Sequence, residues 1–259
     1  MIVMEFRVAR TRDELEAAFA LVHREYEKRG YSRRGEGGMR MILHNFLPDT
    51  TTFVGVDCER SLVATATVVP DSPLMLPMDE SFGAEMQKLR RLGRPCEVVM
   101  LASDLLASGR ESIPMVFPFF KVMLDFAMVV LRADFLCVAI NPRHGAAFRH
   151  LLFENLGGNR PYRGANDAPS VARYLNLRTL FQRLEEPGRE PVRAVFGPPV
   201  ADPAEFAGRY TLRADLDFFL ERKGDAFETA SAQDLHYLSR CHCRDISAPE
   251  DAMQTGAAK

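Results

Sequence analysis

Two short runs, Cys96–Ala102 and Phe135–Ile140, are apolar at nearly every position and rich in Val, Leu and Ile. Runs of this length and composition read as strands buried on both faces. Each is followed by a helix signal. Ile113–Leu131 is apolar, with a helix expected to begin between Pro114 and Pro118, and Asn141-Pro142 supplies a cap and first position for a helix to about Phe153. Strands covered on both sides with helices between them predict an α/β domain around a central sheet. Glu97 is the one charge inside the first run. A carboxylate there either works or is neutralised, so it is the first candidate for chemistry.

The flanking segments extend this frame. Glu5–Arg10 is predicted as a strand. Thr11 with Glu14 makes a capping box, and Leu15, Phe19, Val22 and Tyr26 then share one helical face up to Gly30. A basic loop with Arg29, Arg33, Arg34 and Arg40 among glycines follows, then a short helix over Met39–Phe46. Thr51–Val56 and Leu62–Val69 form a predicted hairpin about the turn Asp57–Arg60. Pro70, Pro73 and Pro77 mark a rigid loop before a helix over Asp79–Leu92 that Gly93 stops. Gly157 and Gly158 are read as ending the helix after Asn141, and Val171–Leu177 as the last strand. The reading divides the chain into a domain over 1–186, a Pro-rich connector over 187–203, a helical extension over 204–246 and a disordered tail over 247–259. The extension holds predicted helices over Leu212–Lys223 and Ser231–Arg244.

Composition removes several functions. There are 33 Lys and Arg against 35 Asp and Glu, which lacks the basic footprint of a dedicated nucleic-acid binder. No signal peptide is read at the start. The apolar stretch Ile113–Leu131 is interrupted by two prolines, Lys121 and Asp125, so it does not read as a membrane span. Five scattered cysteines, Cys58, Cys96, Cys137, Cys241 and Cys243, argue for reduced thiols and a cytoplasmic protein rather than a disulfide framework. His236, Cys241, His242 and Cys243 match no common zinc spacing, so no metal is expected.

Several local strings, in order, resemble the long-chain N-acyl amino acid synthases, relatives of the acyl-homoserine-lactone synthases within the GNAT acyltransferases. They are Arg24-x-Tyr26 with Gly30-Tyr31, Asp71-Ser72-Pro73, Leu76-Pro77-Met78-Asp79-Glu80, Leu89-Arg90-x-x-Gly93-Arg94, Glu97-Val98, and Asn141-Pro142-Arg143-His144. Together they span roughly residues 5–177. The resemblance implies a GNAT-like fold with a central mixed, splayed sheet flanked by helices. It implies transfer of a long fatty acyl group to the amine of a small-molecule amino acid. The donor would be the acyl-phosphopantetheine of acyl carrier protein rather than acyl-CoA, with no permanently bound cofactor.

An ammonium must lose a proton before it attacks a thioester. Glu97 stands where the lactone synthases carry a Glu, and is the expected base or amine anchor; the alternative is a strand-end ion pair with Arg94 or Arg110. His144 is the second acid/base candidate, because no Tyr occurs in Ala146-Ala147-Phe148-Arg149, where GNAT enzymes often place one. Tyr26, Tyr31 and Arg143 are assigned to substrate by the same resemblance. Val98, Leu101, Phe117, Phe120, Met123 and Phe126 are assigned as walls of an acyl tunnel, their other reading being plain core. The lactone synthases continue Glu-x-x-Arg, but here the last position is Met100, which argues against a homoserine-derived acceptor. Ser103–Ser112 lacks the Gly-rich cradle that holds the CoA pyrophosphate, which favours a carrier-protein donor. A carrier is acidic, so Lys88, Arg90, Arg91, Arg94, Arg110 and Arg149 are the expected docking cations. Two rival functions share the frame: a lactone-type signal synthase or other GNAT enzyme, and a non-catalytic acyl-lipid or carrier-binding module.

Overall fold

The computed structural model describes residues 4–32, 38–104, 113–197, 202–222, 224–244 and 246, with backbone alone for 113–117 and 224–225. The expected tail over 247–259 lies outside them. In chain order the strands and α-helices are β1 (Glu5–Val8), α1 (Arg12–Lys28), β2 (Thr51–Val56), β3 (Leu62–Pro70), α2 (Asp79–Leu92), β4 (Pro95–Ser103), α3 (Ile113–Val129), β5 (Phe135–Ile140), α4 (Gly145–His150), β6 (Glu154–Tyr162), β7 (Ala168–Asn176), α5 (Leu180–Leu184), α6 (Glu190–Phe196), α7 (Leu216–Glu221) and α8 (Ala232–His242).

The described strands make one mixed sheet in the order β1-β2-β3-β4-β5-β7-β6. All pairings are antiparallel except that of β4 with β5. One face packs on α1, α2 and the C-terminal helices through Leu15, Phe19, Val22, Phe82 and Met86; the other packs on α3 to α6 through Phe119, Phe120, Leu124, Phe126 and Leu136. This is the helix–sheet–helix layering that the two apolar strands require, since each has two faces to cover.

Local signals are met where they are strong. The Thr11 hydroxyl accepts from the Glu14 N–H at 3.2 Å and starts α1, and the Glu14 carboxylate returns to the Arg10 N–H at 2.7 Å. The hairpin and the helix ended by Gly93 also form.

Three expectations are corrected. The helix after Asn141 stops at His150, and residues 154–162, read as a break, form β6. Gly157, Gly158 and Pro161 are poor strand formers, but β6 is an edge strand whose register against β7 shifts twice, and edges and bulges tolerate such residues. The Pro-rich stretch 187–203 is not simply a connector, since it contains α6 with Pro191 in its first turn, where proline needs no N–H partner. The helix expected over Leu212–Lys223 is a 3₁₀ turn at Leu212–Asp215 followed by α7. The C-terminal segment shares the core of the α1 face: Phe219 meets Phe19 edge-on at 6.0 Å, and Phe227 meets Phe46 at 4.9 Å.

Candidate active site

The sheet opens between its two most apolar strands. β4 and β5 pair from Pro95↔Phe135 to Val98↔Val138 and no further, although β4 runs on to Ser103 and β5 to Ile140. A bulge in β4 lies just past this point. Against β3, Thr67 pairs with Val99 and Thr65 with Ala102, so β4 has one residue too many. Met100 takes it up with φ of 54°, a left-handed conformation that a non-glycine residue adopts at a cost. The extra residue bends β4 away from β5. A wedge results, with main-chain groups of β4 past Val98 unpaired toward β5.

Glu97 sits one residue before the wedge and has no solvent exposure. Its Oε2 accepts the Met78 N–H at 2.9 Å, and its Oε1 accepts the Tyr162 hydroxyl at 3.3 Å. Burial pushes its pKa up to about 8, and the two hydrogen bonds only partly oppose that rise. The ion pair with Arg94 is not formed: Asp134 accepts the Arg94 N–H at 2.7 Å and lies 3.9 Å from its Nε. Arg110 lies outside the described residues.

The Met78 N–H is aimed by a second network. Arg90 of α2 grips Asp71 through Nε and Nη2, both at 2.8 Å, and Asp79 through Nη1 at 2.6 Å. Asp79 Oδ2 also accepts the Leu76 N–H at 2.8 Å. These bonds tie the proline loop to the start of α2 on either side of Met78.

The tyrosines gather on the Glu97 face. Tyr26 and Tyr31 meet edge-on at 5.7 Å, and the Asn141 amide reaches the Tyr31 hydroxyl at 3.4 Å. The Arg40 guanidinium lies 5.4 Å from the Tyr26 ring centre and bonds the Gly164 carbonyl at 2.8 Å. Burial pushes the Tyr26 pKa up to about 12 and raises that of Tyr162 well above the usual phenol value. A neutral phenol is thus held beside Glu97.

On the opposite face, Val98, Leu101, Phe120, Met123 and Phe126 share one apolar cluster. Phe120 packs edge-on against Phe148 and Phe153, and Phe126 against Phe53 and Phe206. The Phe117 side chain lies outside the described residues.

The candidate cations divide into two groups. Lys88, Arg91 and Arg94 are exposed at the end of α2, where β4 begins. Arg143, His144 and Arg149 follow the end of β5, at the mouth of the wedge, and are also exposed. The Arg143 Nε donates to His144 Nε2 at 3.0 Å. The two groups flank opposite ends of β5, which spans roughly 20 Å at about 3.3 Å per strand residue. Arg90 is corrected. It is neutralised by two carboxylates and only 19% exposed, so it is a structural cation and not a docking one. Among the described residues no three His, Cys, Asp or Glu side chains form a metal-binding group. Among the described residues no helix is long and apolar enough to cross a membrane.

Sequence reasoning missed two residues. Tyr162 left no trace, because it closes the Gly- and Pro-rich β6. Arg173 carried a mark like that of Glu97, as the one charge in β7.

Comparison with known proteins identifies the fold and the family. The chain resembles the structure of FeeM, an N-acyl amino acid synthase from uncultured soil microbes, at 25% identity and a TM-score of 0.61, over 70% of this chain and 94% of that one. Two further structures share the fold: the AHL synthase LasI, with TM-score 0.53 and 10% identity over 78% and 98% of the two chains, and BjaI, a CoA-dependent acyl-homoserine lactone synthase, with TM-score 0.50 and 18% identity over 73% and 90%. No curated protein matches the chain. The fold is therefore GNAT-like. The FeeM family of N-acyl amino acid synthases matches residues 17–176, most of the sheet and the whole wedge, and the chain belongs to that acyltransferase family.

Proposed function

We propose that the chain joins a long-chain fatty acyl group, delivered by acyl carrier protein, to the amine of an amino acid. One observation carries the reading: the wedge between β4 and β5 has a buried carboxylate with tyrosines on one side and an apolar cluster on the other. The acyl thioester enters the wedge with its chain toward Met123. The acceptor approaches from the tyrosine side. The Glu97–Tyr162 pair takes a proton from its ammonium, and the free amine attacks the thioester carbon. Unpaired N–H groups of β4 past Val98 hold the oxyanion. The attacking nitrogen sheds its remaining extra proton to solvent, the carbon–sulfur bond breaks, and His144 at the mouth, protonated from solvent, gives a proton to the thiolate. Arg143 and Arg149 face the carrier there. Mass spectrometry of lipid extracts from cells making the protein tests this directly. The expected product is a new N-acyl amino acid; an acyl-homoserine lactone, or no new lipid, overturns the reading.

With matched palmitoyl donors, the carrier-bound thioester is expected to have the higher kcat/KM, and an equal or higher value for palmitoyl-CoA rejects the carrier assignment. Chain length provides a second test. Met123 is fully buried beside Phe120 and Phe126. Met123→Phe adds bulk where a flexible thioether can yield and is expected to shift the preferred acyl chain shorter by several carbons. An unchanged preference with a lowered Tm marks Met123 as core alone.

A further inference from the structure

β7 carries a charge that the reaction above does not use. Leu175 and Leu177 point into the apolar cluster beneath α3 and α4, and Arg173 shares their face by alternation. Arg173 is only 8% exposed, and its Nε is buried without a hydrogen-bond partner. A guanidinium in that state is costly unless something neutralises it. The charge it senses is a second cation, Arg149 of α4, which acts with burial to pull the Arg173 pKa down. No carboxylate pairs with either arginine among the described residues.

Both guanidiniums converge on Gly145. A Cβ placed there would stand 3.3 Å from Arg173 Nη2 and 3.8 Å from Arg149 Nη1. Gly145 has ordinary helical angles, φ −56° and ψ −33°, so its backbone does not require glycine. Glycine lets the Arg173 guanidinium pack directly on the start of α4, with Arg149 close beside it. The spot follows the end of β5, after that strand has parted from β4. It lies on the face of the proposed acyl chain, opposite Glu97 and the tyrosines.

We propose that Arg173 and Arg149 form an anion subsite over Gly145 that receives the phosphate of the donor's phosphopantetheine arm. This rests on the acyl-donor reading above. Two converging guanidinium forks suit phosphate oxygens. An acceptor's carboxylate would belong with the amine, across the sheet. The phosphate has two possible sources, the prosthetic group of a carrier protein or CoA.

Calorimetric binding of 4′-phosphopantetheine and of pantetheine, which lacks the phosphate, isolates the subsite. The native chain is expected to prefer the phosphorylated arm by about tenfold or more, the scale of a charge-assisted hydrogen bond. Arg173→Gln and Arg149→Gln should each erase most of that preference. Gly145→Asp sets a carboxylate between the forks; it should abolish the preference and raise Tm. Arg173→Gln should hold or raise Tm, since it removes an unpaired charge. The proposal fails if the native chain shows no phosphate preference, or if Gly145→Asp lowers Tm and keeps that preference. In acyl transfer, whichever palmitoyl donor loses kcat/KM in these variants supplies the phosphate; a loss with neither donor overturns the assignment. An intact phosphate preference with no transfer to any amino acid keeps the subsite and rejects the acceptor reading instead.

Discussion

Glu97→Gln is expected to leave the fold intact and lower kcat about 10²- to 10⁴-fold, the usual worth of a general base. The amide keeps the shape, accepts the Met78 N–H as before and can still meet the Tyr162 hydroxyl. What it loses is the ability to hold a proton. Native kcat should rise with pH through a limb near 8, where Glu97 ionises, and the variant should lack that limb. Stability supplies an independent check. Burial raises the Glu97 pKa, so between the ordinary carboxylate range and pH 8 the folded chain keeps a proton that the unfolded chain has released. The native fold therefore loses stability as pH rises across that window, by an amount on the order of a few kcal/mol. The gap in Tm between Glu97→Gln and the native chain should widen in the variant's favour from pH 5 to pH 8. If the variant keeps most of its activity between pH 6 and 9, the carboxylate is structural and the base lies elsewhere. Tyr162→Phe should cost less, about tenfold, and shift the pH limb upward, because the carboxylate loses a hydrogen bond that favours its charged form.

Arg90→Met should produce the largest loss of stability. Asp79 and Asp71 are 10% and 26% exposed and would lose their shared cation, and stranding carboxylates in this way costs about 3 kcal/mol. For a domain of this size that corresponds to roughly 6–12 °C in Tm. Arg90→Lys should rescue little, since an ammonium cannot grip two carboxylates through a planar fork. Arg90 acts on the site at one remove, as a positioning residue, by holding the loop that aims the Met78 N–H at Glu97. Its loss should also move the pH limb upward, because the Met78 bond and the Arg90 charge both hold the Glu97 pKa down. A variant that melts early but keeps the native pH limb would confine Arg90 to stability.

The sequence by itself determined the parts whose information is local. Apolar runs without alternation marked the two central strands, Thr11 and Glu14 marked the start of α1, and a lone charge in an apolar strand marked Glu97. Each follows from a few adjacent residues, through periodicity, a cap, or the cost of burying charge. The tertiary structure decided what depends on neighbours distant in the chain. β6 exists because β7 lies between it and β5 and offers a free edge to an otherwise poor strand former. That pairing brings Tyr162 to Glu97 across 65 residues of sequence. Arg90 looked like a docking cation among its neighbours Lys88, Arg91 and Arg94 until the loop carrying Asp71 and the start of α2 closed around it. Arg149 and Arg173, 24 positions apart by their numbering, converge only because the turn after β5 folds α4 back over β7. Charge and burial act through space, and the chain assigns its neighbours in space only once the sheet order is set.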